Sequence, residues 1–394
     1  MKVAGIIAEY NPFHNGHARH IAATRAAGAT HCIVVLGSHF TQRGEPSLLP
    51  KAVRTRMALA GGADLVLELP QPWSCASAEG FAHGGAALLH HTGVVDILSF
   101  GSESGDTAAI VRAAEKMNTP PFSAAVREQL KSGISYAAAQ ERALSAVCGE
   151  NAAALLRQPN NTLGVEYCRT LLRLGSAVTP FAVLRTGAAH DADKAENGIA
   201  SASYIRAQLA NSRPVDAFLP PESATLLRGT VKAEHYTGDT ALIDRILLSC
   251  LRMKDAATLA ALSGVSEGLE NRLFSALQNA VSLQEVLDTV KTRRYTLSRL
   301  RRILTAAFLE LPTAFEKSEP PYLRVLGIGE KGAELLRKMR DTATLPLFTD
   351  AMQPPTDSFS QRVFALECKA SDLYGSLLSV PLPCGQEFTV GMQR

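Results

Sequence analysis

The sequence predicts an α/β fold: a Rossmann-like parallel sheet with helices on both faces, followed by a mostly α-helical C-terminal domain. Three observations carry the prediction. Short apolar runs alternate with stretches of helical periodicity from Val3 to Phe100, the pattern of strands joined by crossover helices. The first run passes through a loop holding Gly16 into a helical stretch, as strand–loop–helix units do. Beyond Ala217 the periodicity is helical to about Met339.

Val3 to Glu9 is a short apolar run and reads as a buried strand. Gly16 to Ala27 reads as a helix, Cys32 to Leu36 as a second strand, Lys51 to Ala60 as a helix and Asp64 to Leu69 as a third strand. Alanine-rich Ser77 to His91 is helical, and Val94 to Phe100 is a fourth strand. From Thr107 to about Leu174 the pattern is helical, with a turn at Asn118-Thr119-Pro120-Pro121. Val178 to Leu184 returns a strand to the sheet. Pro180 lacks a ladder donor, which places that strand at an edge or delays its start. Gly187 to Gly198 is polar and reads as a loop, and Ser201 to Leu209 opens a helix. Arg213-Pro214 marks the expected boundary between the α/β domain, residues 1–213, and a mostly helical domain, residues 214–394, in which Ser360 to Leu377 is a further helix. Ligands of such sheets sit beyond the carboxyl ends of the strands, near a switch in strand order.

The chain has 394 residues, 46% hydrophobic and 20% charged. That is ample for a buried core and two or three domains, and neither a disordered nor a fibrous composition fits. A net charge of +3 is too small to name a partner. The seven cysteines (Cys32, Cys75, Cys148, Cys168, Cys250, Cys368 and Cys384) are scattered with no Cys-x-x-Cys pair. Buried free thiols in a reducing compartment are expected, rather than disulfides or a zinc site. No signal-peptide pattern opens the sequence, and no uncharged apolar run approaches about 18 residues. A cytoplasmic protein without a membrane span is expected.

The chemistry is concentrated in Glu9-Tyr10-Asn11-Pro12-Phe13-His14-Asn15-Gly16-His17, between a strand and a helix. Gly16 lets a ligand approach the backbone. The helix that follows turns unpaired N–H groups and a positive dipole end toward a phosphate. His14 and His17 can donate hydrogen bonds to phosphate oxygens as pyrophosphate leaves. The plainer alternatives are a loop with two solvated histidines, or a metal site, for which the spacing is poor.

His14-Asn15-Gly16-His17 resembles the His-x-Gly-His signature of the HUP-type nucleotidyltransferase superfamily, and Asn11-Pro12-Phe13 resembles its version of the loop. Asn11 is a departure, since many members carry aspartate there. Further motifs follow in order: Gly37-Ser38-His39-Phe40-Thr41-Gln42-Arg43-Gly44-Glu45-Pro46, Gly62 to Pro70, Ser99-Phe100-Gly101-Ser102-Glu103 and Gln158 to Gly164. This order is similar to that of the bacterial tRNA(Met) cytidine acetate ligase family, over most of the first 210 residues and more weakly to about residue 310. The resemblance implies activation of acetate by ATP as acetyl-adenylate. It also implies transfer of acetyl to the exocyclic amine of the wobble cytidine of elongator tRNA(Met), giving N4-acetylcytidine. His14 and His17 are then the catalytic candidates. Nucleotide contact is expected along Ile7, Ala8, Glu9, Tyr10, Asn11, Pro12, Phe13, His14, Asn15, Gly16 and His17. His20 is included as well, although a helix-face packing role competes there.

Other residues join this site. Gly101 ends the fourth strand and would admit adenine or ribose; a plain strand-end turn is the alternative. Asn161, with Asn160 as its rival, stands where a helix N-cap would also explain an asparagine. Arg185 ends the fifth strand as a bidentate donor for phosphate or adenylate, or as a surface arginine. Ser201-Ala202-Ser203-Tyr204-Ile205-Arg206 resembles the superfamily's second signature, in which Ser203 and Arg206 would hold the β- and γ-phosphates. Arg43, Lys51 and Arg54 line the stretch after the second strand, as ligand contacts or as a solvated basic face. Glu9 and Glu45 are candidate acceptors for the cytidine amine. Mg2+ is expected to arrive on the ATP phosphates. Arg293, Arg294, Arg299, Arg301 and Arg302 form the densest basic stretch and are the RNA-binding candidates. Leu326 to Leu336 resembles a helix–hairpin–helix turn that grips nucleic-acid backbone. Two other functions fit the same loop: adenylation of a small phosphorylated metabolite, and nucleotide sensing by a non-catalytic RNA-binding protein.

Overall fold

The computed structural model describes residues 1–185, 198–266, 268–315 and 318–394. The loop expected from Gly187 therefore lies, except for Gly198, outside the described residues. Among the described residues seven strands form one sheet: β1 (Val3–Ala8), β2 (His31–Gly37), β3 (Leu65–Leu69), β4 (Ile97–Ser102), β5 (Thr179–Leu184), β6 (Leu323–Ile328) and β7 (Leu347–Phe348), in the order β5-β4-β1-β2-β3-β6-β7. β1 to β5 are mutually parallel, with Val3 opposite His31 and Ala4 opposite Ile97. The chain runs outward from β1 through β2 to β3, then crosses to β4 on the other side of β1. The switch in strand order therefore lies between β1 and β4, where ligands of such sheets bind. β5 is an edge strand, one of the two outcomes expected from Pro180.

β2 shows why the sheet is a double-sided core. Its Ile33 and Val35 join Leu98, Phe100 and Trp73 on one face, while Cys32, Val34 and Leu36 join Ile21, Val53 and Met57 on the other. Such a strand reads as an unbroken apolar run. The helices that matter for the site are α1 (Asn15–Ala26), α2 (Lys51–Ala60), α3 (Ala78–His91), α4 (Pro159–Arg173), α5 (Ala202–Ala210), α6 (Leu297–Leu309), α7 (Gly332–Thr342) and α8 (Ser358–Ser376). The helical region beyond residue 213 has its own core, in which Leu247, Leu251, Leu273, Leu277, Leu300 and Leu304 pack with Phe40 and Tyr374.

The glycine-rich stretch after Leu326 departs from expectation. It is not a helix–hairpin–helix turn: Leu323 to Ile328 form β6, antiparallel to β3, so the chain returns to the sheet late. The glycines serve close packing. A Cβ on Gly327 would lie 2.6 Å from Thr55 Cγ2, one on Gly329 2.7 Å from the Ala63 carbonyl oxygen, and one on Gly332 2.3 Å from the Asp64 carbonyl oxygen. Of the cysteines, all free, Cys384 is exposed rather than buried, while Cys32, Cys75 and Cys168 are buried as expected. Among the described residues no helix is long and apolar enough to cross a membrane.

A buried ionic cluster joins the late elements to the early ones. Lys51 of α2 pairs with Glu68 of β3, with Glu367 of α8 at 2.7 Å and with Glu387 at 2.6 Å. Arg324 of β6 pairs with Glu68 at 3.1 Å and Glu387 at 2.5 Å. Glu367 also accepts from the Gln71 backbone N–H at 2.8 Å and from the Ser38 hydroxyl. Burial and the neighbouring carboxylates push the Glu367 carboxyl up to about 7, whereas Lys51 and Arg324 hold Glu387 well below the usual carboxylate range.

Candidate active site

The loop after β1 is shaped by its own backbone. Tyr10 is in the left-handed region (φ 47) and the Asn11–Pro12 peptide is cis. Asn11 Oδ1 accepts from the Leu48 N–H at 2.7 Å, and the Asn11 carbonyl accepts from Arg206 Nη1 at 2.9 Å. His14 is the N-cap of α1. Its Nδ1 accepts from the Gly16 N–H at 3.1 Å, while the His14 N–H donates to His17 Nδ1 at 3.2 Å, a reciprocal capping box. An imidazole whose Nδ1 accepts carries its neutral-form proton on Nε2. Both histidines are thus fixed as Nε2–H donors. The rings stack with centroids 3.7 Å apart, and Tyr10 and Phe13 pack against His17. Gly16 is obligatory for this arrangement: a Cβ there would stand 2.9 Å from His14 Cε1.

The second signature comes to the first. Ser201 caps α5 and its hydroxyl lies 2.9 Å from that of Ser203. Asn15 Nδ2 donates to the carbonyls of Gly198 at 2.9 Å and Ala217 at 3.0 Å, fastening the start of α1 to the segment around α5. With the Arg206–Asn11 contact, the N-termini of α1 and α5 share one site. Two helix N-termini, two imidazole donors and a guanidinium make a place for a polyphosphate.

Glu9 directly follows β1. Its Oε1 accepts from the Gln42 N–H at 2.7 Å, and burial raises its pKa against the opposing pull of Arg206, Arg54 and Arg43. Arg54, expected as a ligand contact or a solvated charge, is neither. It is fully buried and donates to the carbonyls of Glu9, Gly37, Ser38 and Leu49 at 2.6–3.1 Å, tying the ends of β1 and β2 together. Lys51, read the same way from sequence, is spent inside the ionic cluster. That cluster does not fit a metal either. Glu68, Glu367 and Glu387 converge, but the Lys51 ammonium already takes the place of a cation among them.

At the ends of β4 and β5, Gly101 lies under the stem of Arg185, where a Cβ on the glycine would stand 3.3 Å from Arg185 Cγ. Asn161 is not the N-cap; Gln158 is. Asn161 is fully buried and its Oδ1 accepts from the Ser102 hydroxyl at 2.6 Å and the Glu103 N–H at 3.1 Å, so it shapes the β4 loop from beneath. Glu103 returns the contact, accepting from the N–H groups of Asn160 and Asn161 at 3.2 and 2.9 Å. His20 Nε2 lies 2.9 Å from the Ser99 hydroxyl. Ile7 and Ala8 are the last two residues of β1 before the loop. Ser99 and Glu103 stood within one of the ordered motifs, but residue spacing could not show their partners, which lie more than fifty residues away in sequence.

The basic stretch is divided. Arg293 is exposed and Arg294 half-buried. Arg299 donates to the Gly264 carbonyl at 2.6 Å and covers the Tyr295 ring. Arg301 pairs with Glu45 at 2.6 Å and Arg302 donates to the Gln42 carbonyl at 3.3 Å, so both turn toward the loop after β2. Glu45 is correspondingly held by Arg301.

The profile of the family described as HIGH Nucleotidyl Transferase matches residues 1–385. The chain is 36% identical over 382 residues, 95% of each chain, to a protein of Thermoanaerobacter sp. (strain X514) described as tRNA(Met) cytidine acetate ligase. It is similar to the crystal structure of Thermotoga maritima TmcAL in its apo form I, with a TM-score of 0.94, 32% identity and coverage of 100% of this chain and 99% of that one. The structure of the same Thermotoga protein bound with alpha-thio ATP, form II, gives a TM-score of 0.90 at the same identity and coverage.

Proposed function

The chain belongs to the tRNA(Met) cytidine acetate ligase family, and from that premise we propose that it activates acetate with ATP and acetylates the wobble cytidine of elongator tRNA(Met). In the first step an acetate oxygen attacks the α-phosphorus and the bond to pyrophosphate breaks. In the second the cytidine N4 attacks the acetyl carbonyl, the bond to AMP breaks, and the amine gives up one proton. The observation that carries this reading is the capping box. It fixes His14 and His17 as Nε2–H donors at a helix N-terminus, suited to the charge that grows on departing pyrophosphate.

Ser203 and Arg206, at the start of α5, hold the β- and γ-phosphates. Gly101 and Arg185 flank the nucleoside, and Asn161 supports that flank through the Ser102–Ser104 loop. Mg2+ comes with the ATP phosphates and neutralises part of their charge; among the described residues no cluster serves as its cage. The region from residue 214 contributes to tRNA binding, with Arg293 and Arg294 meeting phosphates and Arg299, Arg301 and Arg302 behind them. A cytoplasmic location follows from that substrate.

The test is acetate-dependent exchange of labelled pyrophosphate into ATP. Exchange that requires acetate supports the reading. Exchange that ignores acetate and requires a phosphorylated metabolite would replace it.

A further inference from the structure

His20, Ser99, Gly101 and Arg185 lie on one face of the sheet. Ser99 and Gly101 are two residues apart on β4, so their side-chain positions point the same way. Arg185 covers Gly101 from β5, and His20 reaches Ser99 from α1. The opposite face of β4 belongs to Leu98 and Phe100, which pack in the core beneath α3 and α4. The distance along the strand from Ser99 to Gly101 is about 7 Å, roughly the width of a nucleobase.

A hydrogen-bond relay fixes the tautomer of His20. The Thr24 hydroxyl donates its only proton to the His20 carbonyl at 2.9 Å. With the Thr24 proton so placed, the Ser99 hydroxyl, 2.7 Å from Thr24 Oγ1, is the donor of that pair. Its proton spent, Ser99 accepts from His20 Nε2–H. Nδ1 is left as a bare lone pair. It has no hydrogen-bond partner among the described residues, and His20 as a whole is half-buried. Burial and the nearby Arg185 push the imidazole down to about 4, so the lone pair stays unprotonated at neutral pH.

We infer that His20 reads the base of the nucleotide: Nδ1 accepts a hydrogen bond from the 6-amino group of adenine, and a 6-oxo purine is refused because its carbonyl oxygen would face the same lone pair. Arg185 supplies a planar guanidinium to stack on the ring. The inference rests on the proposed ATP-using ligase. It makes His20 a specificity-determining residue and Ser99 the positioning residue that holds its tautomer.

The test compares ATP with inosine triphosphate, in pyrophosphate exchange and in direct binding by calorimetry. The wild-type chain should prefer ATP by about 100-fold, the scale on which an unmatched polar group is rejected. Ser99→Ala frees the imidazole to put its proton on Nδ1 and donate to a 6-oxo group, so the preference should fall at least tenfold. His20→Gln, whose amide can turn either way, should do the same. Thermal melting of both variants separates misfolding from lost selectivity. A preference within twofold of wild type in both folded variants overturns the inference. So does an unchanged ATP preference accompanied by a changed discrimination between cytidine and other wobble bases, which would give the slot to tRNA. If the wild-type chain shows no acetate-dependent exchange, the ligase reading fails; the binding ratio then still decides whether His20 selects adenine.

Discussion

Gly16 and the two histidines around it form a unit whose parts fail together. In Gly16→Ala the new Cβ meets the His14 ring at 2.9 Å. The ring must turn, and the capping hydrogen bond that orients it is lost. Acetate-dependent exchange should fall at least tenfold, measured as kcat/KM for ATP. His14→Ala removes the N-cap as well as a donor, so a loss of about 1 kcal/mol in stability should accompany a drop in exchange of about 100-fold or more. His17→Ala should match the rate loss. Retained exchange in both would remove the imidazoles from the chemistry. The His-x-Gly-His loop was legible in the sequence because its logic is local: a strand end, a glycine and a helix start within eight residues. The hydrogen bonds of Asn161, expected as a nucleotide contact with a helix cap as the alternative, were not. Its partners lie at Ser102 to Ser104, a distance in sequence that no local pattern reports.

The loop from Thr41 to Pro46 is the element through which the basic helix meets Glu9 at the end of β1. Gly44 has φ +74, and a Cβ on it would lie 2.4 Å from the Arg302 nitrogen. Gly44→Ala therefore meets both backbone strain and overlap and should destabilise the chain by about 2 to 4 kcal/mol in denaturant unfolding. The arginines of this region should separate by salt dependence. Arg293→Ala, removing an exposed charge, should weaken tRNA binding and lower the slope of log affinity against log salt by about 1. Arg301→Ala, breaking the pair with Glu45, should instead disturb the loop with a smaller change in slope. Equal slopes for the two variants would contradict this division. Helix α6 was legible as part of the helical periodicity beyond Ala217, and its Leu300, Ile303 and Leu304 are buried. Strand β6 was missed: its glycines mimic a turn, and only the neighbours that crowd each glycine show why they are there.

Across the whole molecule, the ionic cluster around Lys51 decides whether the late elements stay docked on the sheet. Lys51→Met would leave three carboxylates facing a single arginine, Arg324, in a buried site. The expected cost is about 3 to 5 kcal/mol, measured by thermal or denaturant unfolding. Glu367 gives the cluster a pH dependence. Its folded pKa, about 7, is above its unfolded value, so the native state holds a proton that the unfolded state has released. Stability from this group is therefore full below the unfolded carboxylate range and declines as pH rises toward and through 7. Glu367→Gln should flatten the fall in melting temperature between pH 5 and pH 8. An undiminished fall would locate the titration elsewhere. The parallel core of the fold was legible from alternating strands and helices, whereas the cluster was not, because its members are spread from residue 51 to residue 387 and only the closed fold brings them together.

Acetylation of a tRNA base is the outcome these parts are proposed to produce. Its most direct test is to incubate the purified chain with ATP, labelled acetate and elongator tRNA(Met), digest the RNA and identify the labelled nucleoside. The expected result is N4-acetylcytidine at the wobble position, formed only when ATP and acetate are both present and lost in His14→Ala and His17→Ala. Unlabelled RNA, from a folded protein that forms acetyl-adenylate or adenylates a metabolite instead, would contradict it.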